Sequence, residues 1–139
     1  MAMPERLAFP RRIPFADALG FELWRFDGGH AELQLALEPG LHNSFGVAHG
    51  GVLMTLLDVA MARAATSVPD APSTTVVTVE MSSRFVRPAR GGLVAEGEVL
   101  HAGGSLCTCE ARLHDAGGNL VATAMGTFKY WRGRAGGVE

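Results

Sequence analysis

Asn43, His49, Gly50, Gly51 and Asp58 are the residues of this 139-residue chain whose types and spacing could do chemistry together. They fall in one stretch, Leu41-His42-Asn43-Ser44-Phe45-Gly46-Val47-Ala48-His49-Gly50-Gly51, which runs straight into Val52-Leu53-Met54-Thr55-Leu56-Leu57-Asp58-Val59-Ala60-Met61-Ala62. A polar, glycine-bearing loop thus opens a helix that is apolar on nearly every side and carries one acid in its third turn. A helix so apolar is buried, and a lone carboxylate on it needs a reason. Its start has two adjacent glycines and no Ser, Thr or Asp cap, which predicts bare backbone N–H groups open to a ligand. Gly50 and Gly51 admit close approach because no Cβ intervenes. Their N–H groups, reinforced by the helix dipole, suit a carbonyl oxygen that is gaining negative charge. One donor of this kind is worth ~2.7–4 kcal/mol in a transition state. Glycines that merely permit tight packing at a helix start are the plainer alternative.

Asp58 stands eight residues beyond Gly50, roughly 12 Å along the axis at ~1.5 Å per residue. That is too far to serve an oxyanion at its own helix start, but it suits a site completed by a neighbouring subunit's loop. Among Met and Ala side chains the carboxylate is expected to be desolvated, with a pKa biased upward toward a useful base. A structural Asp, paired with an arginine or capping a backbone, is the competing role. The Asn43 amide can donate to an ester or thioester oxygen, and His49 can do likewise or orient the loop; satisfying loop carbonyls is the commoner fate of both. His42 reads as a loop or surface residue. Arg84, Arg87 and Arg90, around Pro88, put positive charge at one end of a strand, where phosphates of a bulky ligand would suit them; a solvated strand end would look the same. No Walker loop, Gly-x-Gly-x-x-Gly fingerprint or Gly-x-Ser-x-Gly elbow is present, so nucleotide hydrolysis and serine-hydrolase chemistry lack their best signals.

These residues need elements to hold them. Phe15 to Leu19 reads as one helical turn closed by Gly20. Phe21–Phe26 and Ala31–Leu37 flank Asp27-Gly28-Gly29, a hairpin signal. The long helix spans about His49 to Ser67, stopped by Pro69 and Pro72, with Leu53, Leu56, Leu57, Ala60 and Ala64 as its core stripe. Met54, Met61 and Ala65 lie beside Asp58 on the wheel, with Thr55 and Ala62 on its other side. One sheet cannot cover a whole helix circumference, so a second subunit is expected over the rest, with Asp58 at the interface. Ser73 to Phe85 alternates, placing Val77, Val79, Met81 and Phe85 on one face and Thr78, Glu80, Ser82 and Arg84 on the other. Leu93–His101, Ser105–His114 and Leu120–Trp131 complete the set, joined by glycine-rich turns. Successive hairpins after a single long helix imply an α+β architecture, one antiparallel sheet wrapped on that helix.

Composition sets outer limits. Hydrophobic content of 47% against 19% charged excludes disorder and suggests apolar surface committed to subunit contacts. A net charge of −2 offers no global attraction to nucleic acid. Cys107 and Cys109 point to one strand face as partly buried free thiols, and no second pair exists for a zinc site, so no metal is expected. No window approaches the ~18 apolar residues of a membrane helix, and Met1–Pro14 lacks a signal-peptide core; a soluble, cytoplasmic protein is expected. The organisation reads as an arm over 1–14, one domain over 15–131 and a mobile, glycine-rich tail over 132–139.

The pattern Asn43, then His49-Gly50-Gly51, then Asp58 resembles the hotdog-fold thioesterase superfamily, in its phenylacetic-acid-degradation branch. Val77-Thr78-Val79-Glu80-Met81 and Arg87-Pro88-Ala89-Arg90-Gly91 continue the likeness, which covers about Phe15 to Tyr130. The resemblance implies a hotdog fold and a hydrolase of aryl- or medium-chain acyl-CoA thioesters. Gly50 would polarise the thioester carbonyl, helped by Asn43 and His49. Asp58 of the facing subunit would activate water or attack directly, and the Thr78 hydroxyl would orient the water. Gly51 and, as weaker candidates, Arg84, Arg87 and Arg90 would bind substrate. The implied assembly is a dimer at least, with two dimers joined as a tetramer. No cofactor is implied beyond the coenzyme A of the substrate itself, and neither nucleic acid nor membrane is an expected partner. A hotdog module that binds acyl-CoA without cleaving it is the alternative, and hydratase chemistry would want a different Asp-His motif.

Overall fold

The alternation of apolar and polar residues in six segments and the helical spacing in one long segment produce the main elements seen in the computed structural model, which describes residues 3–133. A short helix α1, Pro14–Leu19, begins with proline at its first position and ends on Gly20, whose φ of 83° is the left-handed conformation glycine adopts without strain. Strands β1 (Glu22–Asp27) and β2 (His30–Ala36) form the first hairpin. The long helix α2, Gly50–Thr66, follows a loop, and β3 (Val76–Phe85), β4 (Gly92–Ala102), β5 (Leu106–Asp115) and β6 (Leu120–Tyr130) come after it. The six strands make a single sheet in the order β1-β2-β4-β5-β6-β3, and every pairing is antiparallel. One long helix wrapped by one antiparallel sheet is the hotdog architecture.

The expected stripe of α2 is in the core: Leu53, Leu56, Leu57, Ala60 and Ala64 are all buried. Facing it from the sheet are Leu33, Leu93, Ala95, Cys107, Cys109, Leu113 and Phe128. Helix and sheet touch at backbone level at Gly97, where an added Cβ would lie 2.3 Å from the Ala60 carbonyl oxygen. Only glycine permits that approach. The Tyr130 hydroxyl donates to the Ala65 carbonyl at 2.7 Å and ties β6 to the last turn of the helix.

Three expectations need correction. Met61 and Ala65 are fully buried within this one chain, because β3 and β6 curl far enough around α2 to cover that flank. The helix surface left over is narrower than the sequence suggested, consisting of Gly50, Gly51, Met54, Thr55, Asp58, Ala62 and Thr66. The two cysteines are fully rather than partly buried, with their sulfurs 3.7 Å apart; burial pushes the Cys109 thiol up and keeps it from ionising.

The third correction bears on chemistry. Strand β3 does not alternate throughout, because its register against β6 slips between Thr78 and Glu80. Val79 is the extra residue of a β-bulge. Thr78 pairs with buried Phe128, and after the bulge Met81, Ser83 and Phe85 pair with Gly126, Ala124 and Ala122 on that same helix-facing side. Thr78 therefore shares a face with Met81 and Phe85, whereas Glu80 bonds Thr127 on the outer face.

Candidate functional site

The loop before α2 is shaped by its own polar side chains. Asn43 Oδ1 accepts the N–H of Phe45 at 2.8 Å and that of Val47 at 3.3 Å. The Asn43 N–H donates to the Val47 carbonyl at 2.7 Å. Gly46, with φ of 76°, supplies the left-handed residue this tight turn requires. Phe45 is left at the tip, 83% exposed. The Ala48 N–H donates to Ala89 O at 2.9 Å and so clips the loop to the segment carrying Arg87 and Arg90. Between them lies a cavity of about 530 Å³ lined by Asn43, Phe45, Gly50, Phe85, Arg87 and Arg90 among others, within the size range of small-molecule sites.

At the mouth of α2 the expectation of uncapped glycines is half right. His49 is the N-cap, and its Nδ1 accepts the Gly51 N–H at 2.8 Å. An accepting Nδ1 leaves the proton on Nε2. Gly51 therefore offers no N–H to a ligand, and a Cβ there would sit 3.0 Å from the imidazole. The Gly50 N–H has no acceptor among the described residues, and Gly50 lines the cavity. Asn43 and His49 both spend an acceptor atom on loop amides, not carbonyls, which leaves each with donor hydrogens to spare. His42 forms an isolated bridge with Ala48 and plays a loop role. Arg84 lies on the outer face of the sheet, paired with Thr123, and is not among the cavity residues.

Asp58 sits at mid-helix, half-buried, and does not line this cavity. Thr78 Oγ1 donates to its Oδ1 at 2.7 Å, a contact that exists because the Val79 bulge turned Thr78 toward the helix. Among the described residues no cation lies within 4.0 Å of the carboxylate. Burial raises its pKa above the ordinary carboxylate value of 3.8, opposed by the Thr78 hydrogen bond and then by the charge of Arg63. A carboxyl so placed is a stronger base than a free one, with one oxygen held and the other available.

Arg63 escaped the sequence reading altogether. It is the second charge on an otherwise apolar helix, five residues after Asp58, and it is 4% exposed. A basic residue within the buried span of α2 was the available signal. Among the described residues no three His, Cys, Asp or Glu side chains converge as a metal site needs, and no helix is long and apolar enough to cross a membrane.

The helix start thus places one free amide beside a cavity that also carries Arg87 and Arg90. Residues 45–122 match the family model described as thioesterase superfamily, and the chain belongs to the hotdog-fold thioesterase superfamily, in its PaaI-like branch. A protein of Saccharolobus solfataricus named as an esterase is 31% identical over 111 residues, which is 79% of this chain and 78% of that one. The medium/long-chain acyl-CoA thioesterase YigI of Escherichia coli K12 is 27% identical over 135 residues, covering 86% and 87%. The solved structure of the E. coli PaaI protein from the phenylacetic acid degradation operon superposes with a TM-score of 0.80 at 25% identity, covering 87% of this chain and 86% of that one. Membership supports hydrolase activity of the general acyl-CoA thioesterase type.

Proposed function

We propose that the protein hydrolyses aryl- or medium-chain acyl-CoA thioesters to the free acid and coenzyme A, in sites each shared between two copies of the chain. The carrying observation is that the unpaired Gly50 N–H lines a basic cavity from which Asp58 of the same chain is absent. The two groups belong to one reaction only if a second copy supplies the acid. In this reading the thioester carbonyl oxygen accepts from the Gly50 N–H, with the Asn43 amide beside it. Asp58 of the other copy takes a proton from a water that Thr78 helps to orient. The water oxygen attacks the thioester carbon, the oxyanion rests against the Gly50 amide, and its collapse breaks the C–S bond, the departing thiolate taking up the proton that Asp58 removed from water. Arg87 and Arg90 lie on the cavity wall where coenzyme A phosphates would pass, and Arg84 drops out of the binding set. His49 holds the Gly51 amide and so keeps the Gly50 amide aimed. The activity for which YigI is named supports a medium-length acyl group, and the operon of PaaI supports an aryl one.

The dimer is the unit that makes a site, and two dimers joined as a tetramer complete the proposed assembly. The test is complementation. Asp58→Asn and Gly50→Pro copies are each expected to release almost no thiol from an acyl-CoA panel. After subunit exchange at equal amounts they should regain about a quarter of wild-type activity, since half of the dimers are mixed and each carries one intact site. No recovery despite exchange would overturn the shared site. Tight binding of acyl-CoA to the wild type without thiol release would overturn hydrolysis in favour of a binding module.

A further inference from the structure

The loop ahead of α2 is a short antiparallel spur. His42 bridges Ala48, the Asn43 N–H donates to Val47 O at 2.7 Å, and the His49 N–H donates to Leu41 O at 2.9 Å. Its turn, Ser44-Phe45-Gly46, is therefore the end farthest from the helix start. Phe45 is 83% exposed there, yet its backbone is fixed. Its N–H donates to Asn43 Oδ1 at 2.8 Å, and Gly46 takes the left-handed conformation. A rigid turn thus holds a bare aromatic ring at the rim of the cavity that the ring helps to line.

The two ends of this cavity differ. At one, the Gly50 N–H, unpaired among the described residues, lies beside Phe85, whose Cζ is 4.0 Å from where a Gly50 Cβ would stand. At the other lies Phe45. Ala48 comes between them in the spur, and its N–H donates to Ala89 O at 2.9 Å, so Arg87 and Arg90, on either side of Ala89, meet the loop midway. Free amide, guanidinium pair and aromatic ring follow one another in that order. A coenzyme A thioester carries its groups in the same order: the thioester carbonyl, a flexible arm ending in a pyrophosphate, then adenine.

Exposure decides which part of the substrate Phe45 meets. An acyl chain gains by leaving water, and a ring so open to solvent gives it little shelter. Adenine needs only a face covered, since a base stacks on an aromatic side chain while its edges stay hydrated. In the shared-site reading the acyl group also runs from Gly50 toward Asp58 of the other copy, away from the spur's tip. We infer that Phe45 stacks on the adenine of coenzyme A, so that the enzyme prefers thioesters of the whole nucleotide carrier to those of a phosphopantetheine arm alone. This selectivity rests on the shared-site reading above and adds the carrier to its substrate class.

Two thioesters test it: octanoyl-CoA, and octanoyl-phosphopantetheine, which lacks the adenosine. Wild type is expected to favour the first in kcat/KM, and in Phe45→Ala that preference should shrink about tenfold, the usual worth of one base–aromatic stack. Phe45→Trp should keep the preference. Phe45→Leu, with apolar bulk but no π face, should shrink it as alanine does. Absence of a wild-type preference overturns the inference, as does one that Phe45→Ala leaves intact or Phe45→Leu retains in full. Binding without turnover separates this inference from hydrolysis itself, with coenzyme A and 3′,5′-ADP titrated into wild type and Phe45→Ala. About tenfold weaker binding of both to the variant, with no thiol release by wild type, would sink hydrolysis and keep the adenine seat. Equal affinities beside normal thiol release would sink the adenine seat alone.

Discussion

The two halves of helix α2 are built on opposite principles. Its first turn is made of satisfied backbone. His49 caps Gly51, Asn43 organises the loop, and one amide is left over at the wall of a cavity complete within the chain. Its middle and last turn carry side chains under electrostatic strain: a half-buried carboxylate steadied by one hydroxyl, and, farther on, a buried guanidinium with no acid within 4.0 Å among the described residues. The first arrangement needs nothing further in order to fold. The second makes sense only when something outside the chain approaches it, because desolvation without compensation weakens a fold. Stability and activity therefore pull apart along a single helix.

The largest expected effect falls on the strained half. Asp58→Asn should lower kcat by about 10²–10⁴-fold, the usual worth of a general base. It should also raise Tm at pH 7. The folded carboxyl has a raised pKa, so between 3.8 and its folded value the native state binds more protons than the unfolded chain. Wild-type stability therefore falls as pH climbs through that window. Asparagine never pays that cost, and the Tm gain should shrink as pH drops toward 3.8. A variant that is both inactive and less stable at pH 7 would break the contrast.

Gly50→Pro probes the satisfied half with a loss of about 10²–10³-fold, as for a single oxyanion donor. The substitution suits the site: proline is favoured at the first helical position, and His49, at φ −64° and ψ 137°, already has the extended backbone that a following proline demands. Its Tm should therefore hold while activity drops. Gly50→Ala, whose Cβ would only touch Phe85 at 4.0 Å, should stay within a few-fold of wild type.

Much of this contrast was readable before any coordinates. The core stripe of α2, the turn glycines and the spacing from Gly50 to Asp58 follow from helical and strand periods, which a single sequence records faithfully. What escaped depends on events that leave no period. The bulge at Val79 adds one residue to β3 and moves Thr78 to the other face; strict alternation cannot reveal it. The His49 cap was missed because histidine is an uncommon cap, so the list of usual capping residues came up empty. Met61 and Ala65 were assigned to a partner because sheet curvature, which buries them, is a tertiary property. No period shows that Arg63 is buried, because a long cationic side chain in the last turn of a helix commonly reaches solvent, and only the tertiary packing buries it.

Thr78→Val tests the bulge directly. Loss of a hydrogen bond to a charged group costs about 1.5–3 kcal/mol. Because Thr78 lowers the Asp58 pKa, its removal should move the acidic limb of the pH–rate profile upward and cut the neutral-pH rate about tenfold. An unmoved limb would place the Asp58 carboxyl outside Thr78's influence in the working enzyme.

His49→Ala should have the smallest effect, and the kind of effect is what matters. If His49 serves the loop alone, the loss is that of an N-cap, about 0.5–2 kcal/mol of stability, with kcat changed only a few-fold. Gly51→Ala should resemble it, since a Cβ 3.0 Å from Nδ1 must displace the imidazole from the same amide. Agreement of the two variants in Tm and rate would assign His49 to positioning the Gly50 amide. A fall in kcat for His49→Ala as deep as that of Gly50→Pro, with Gly51→Ala spared, would instead put Nε2 on the thioester oxygen. The satisfied half of the helix would then hold two catalytic donors, and a purely structural cap would no longer describe it.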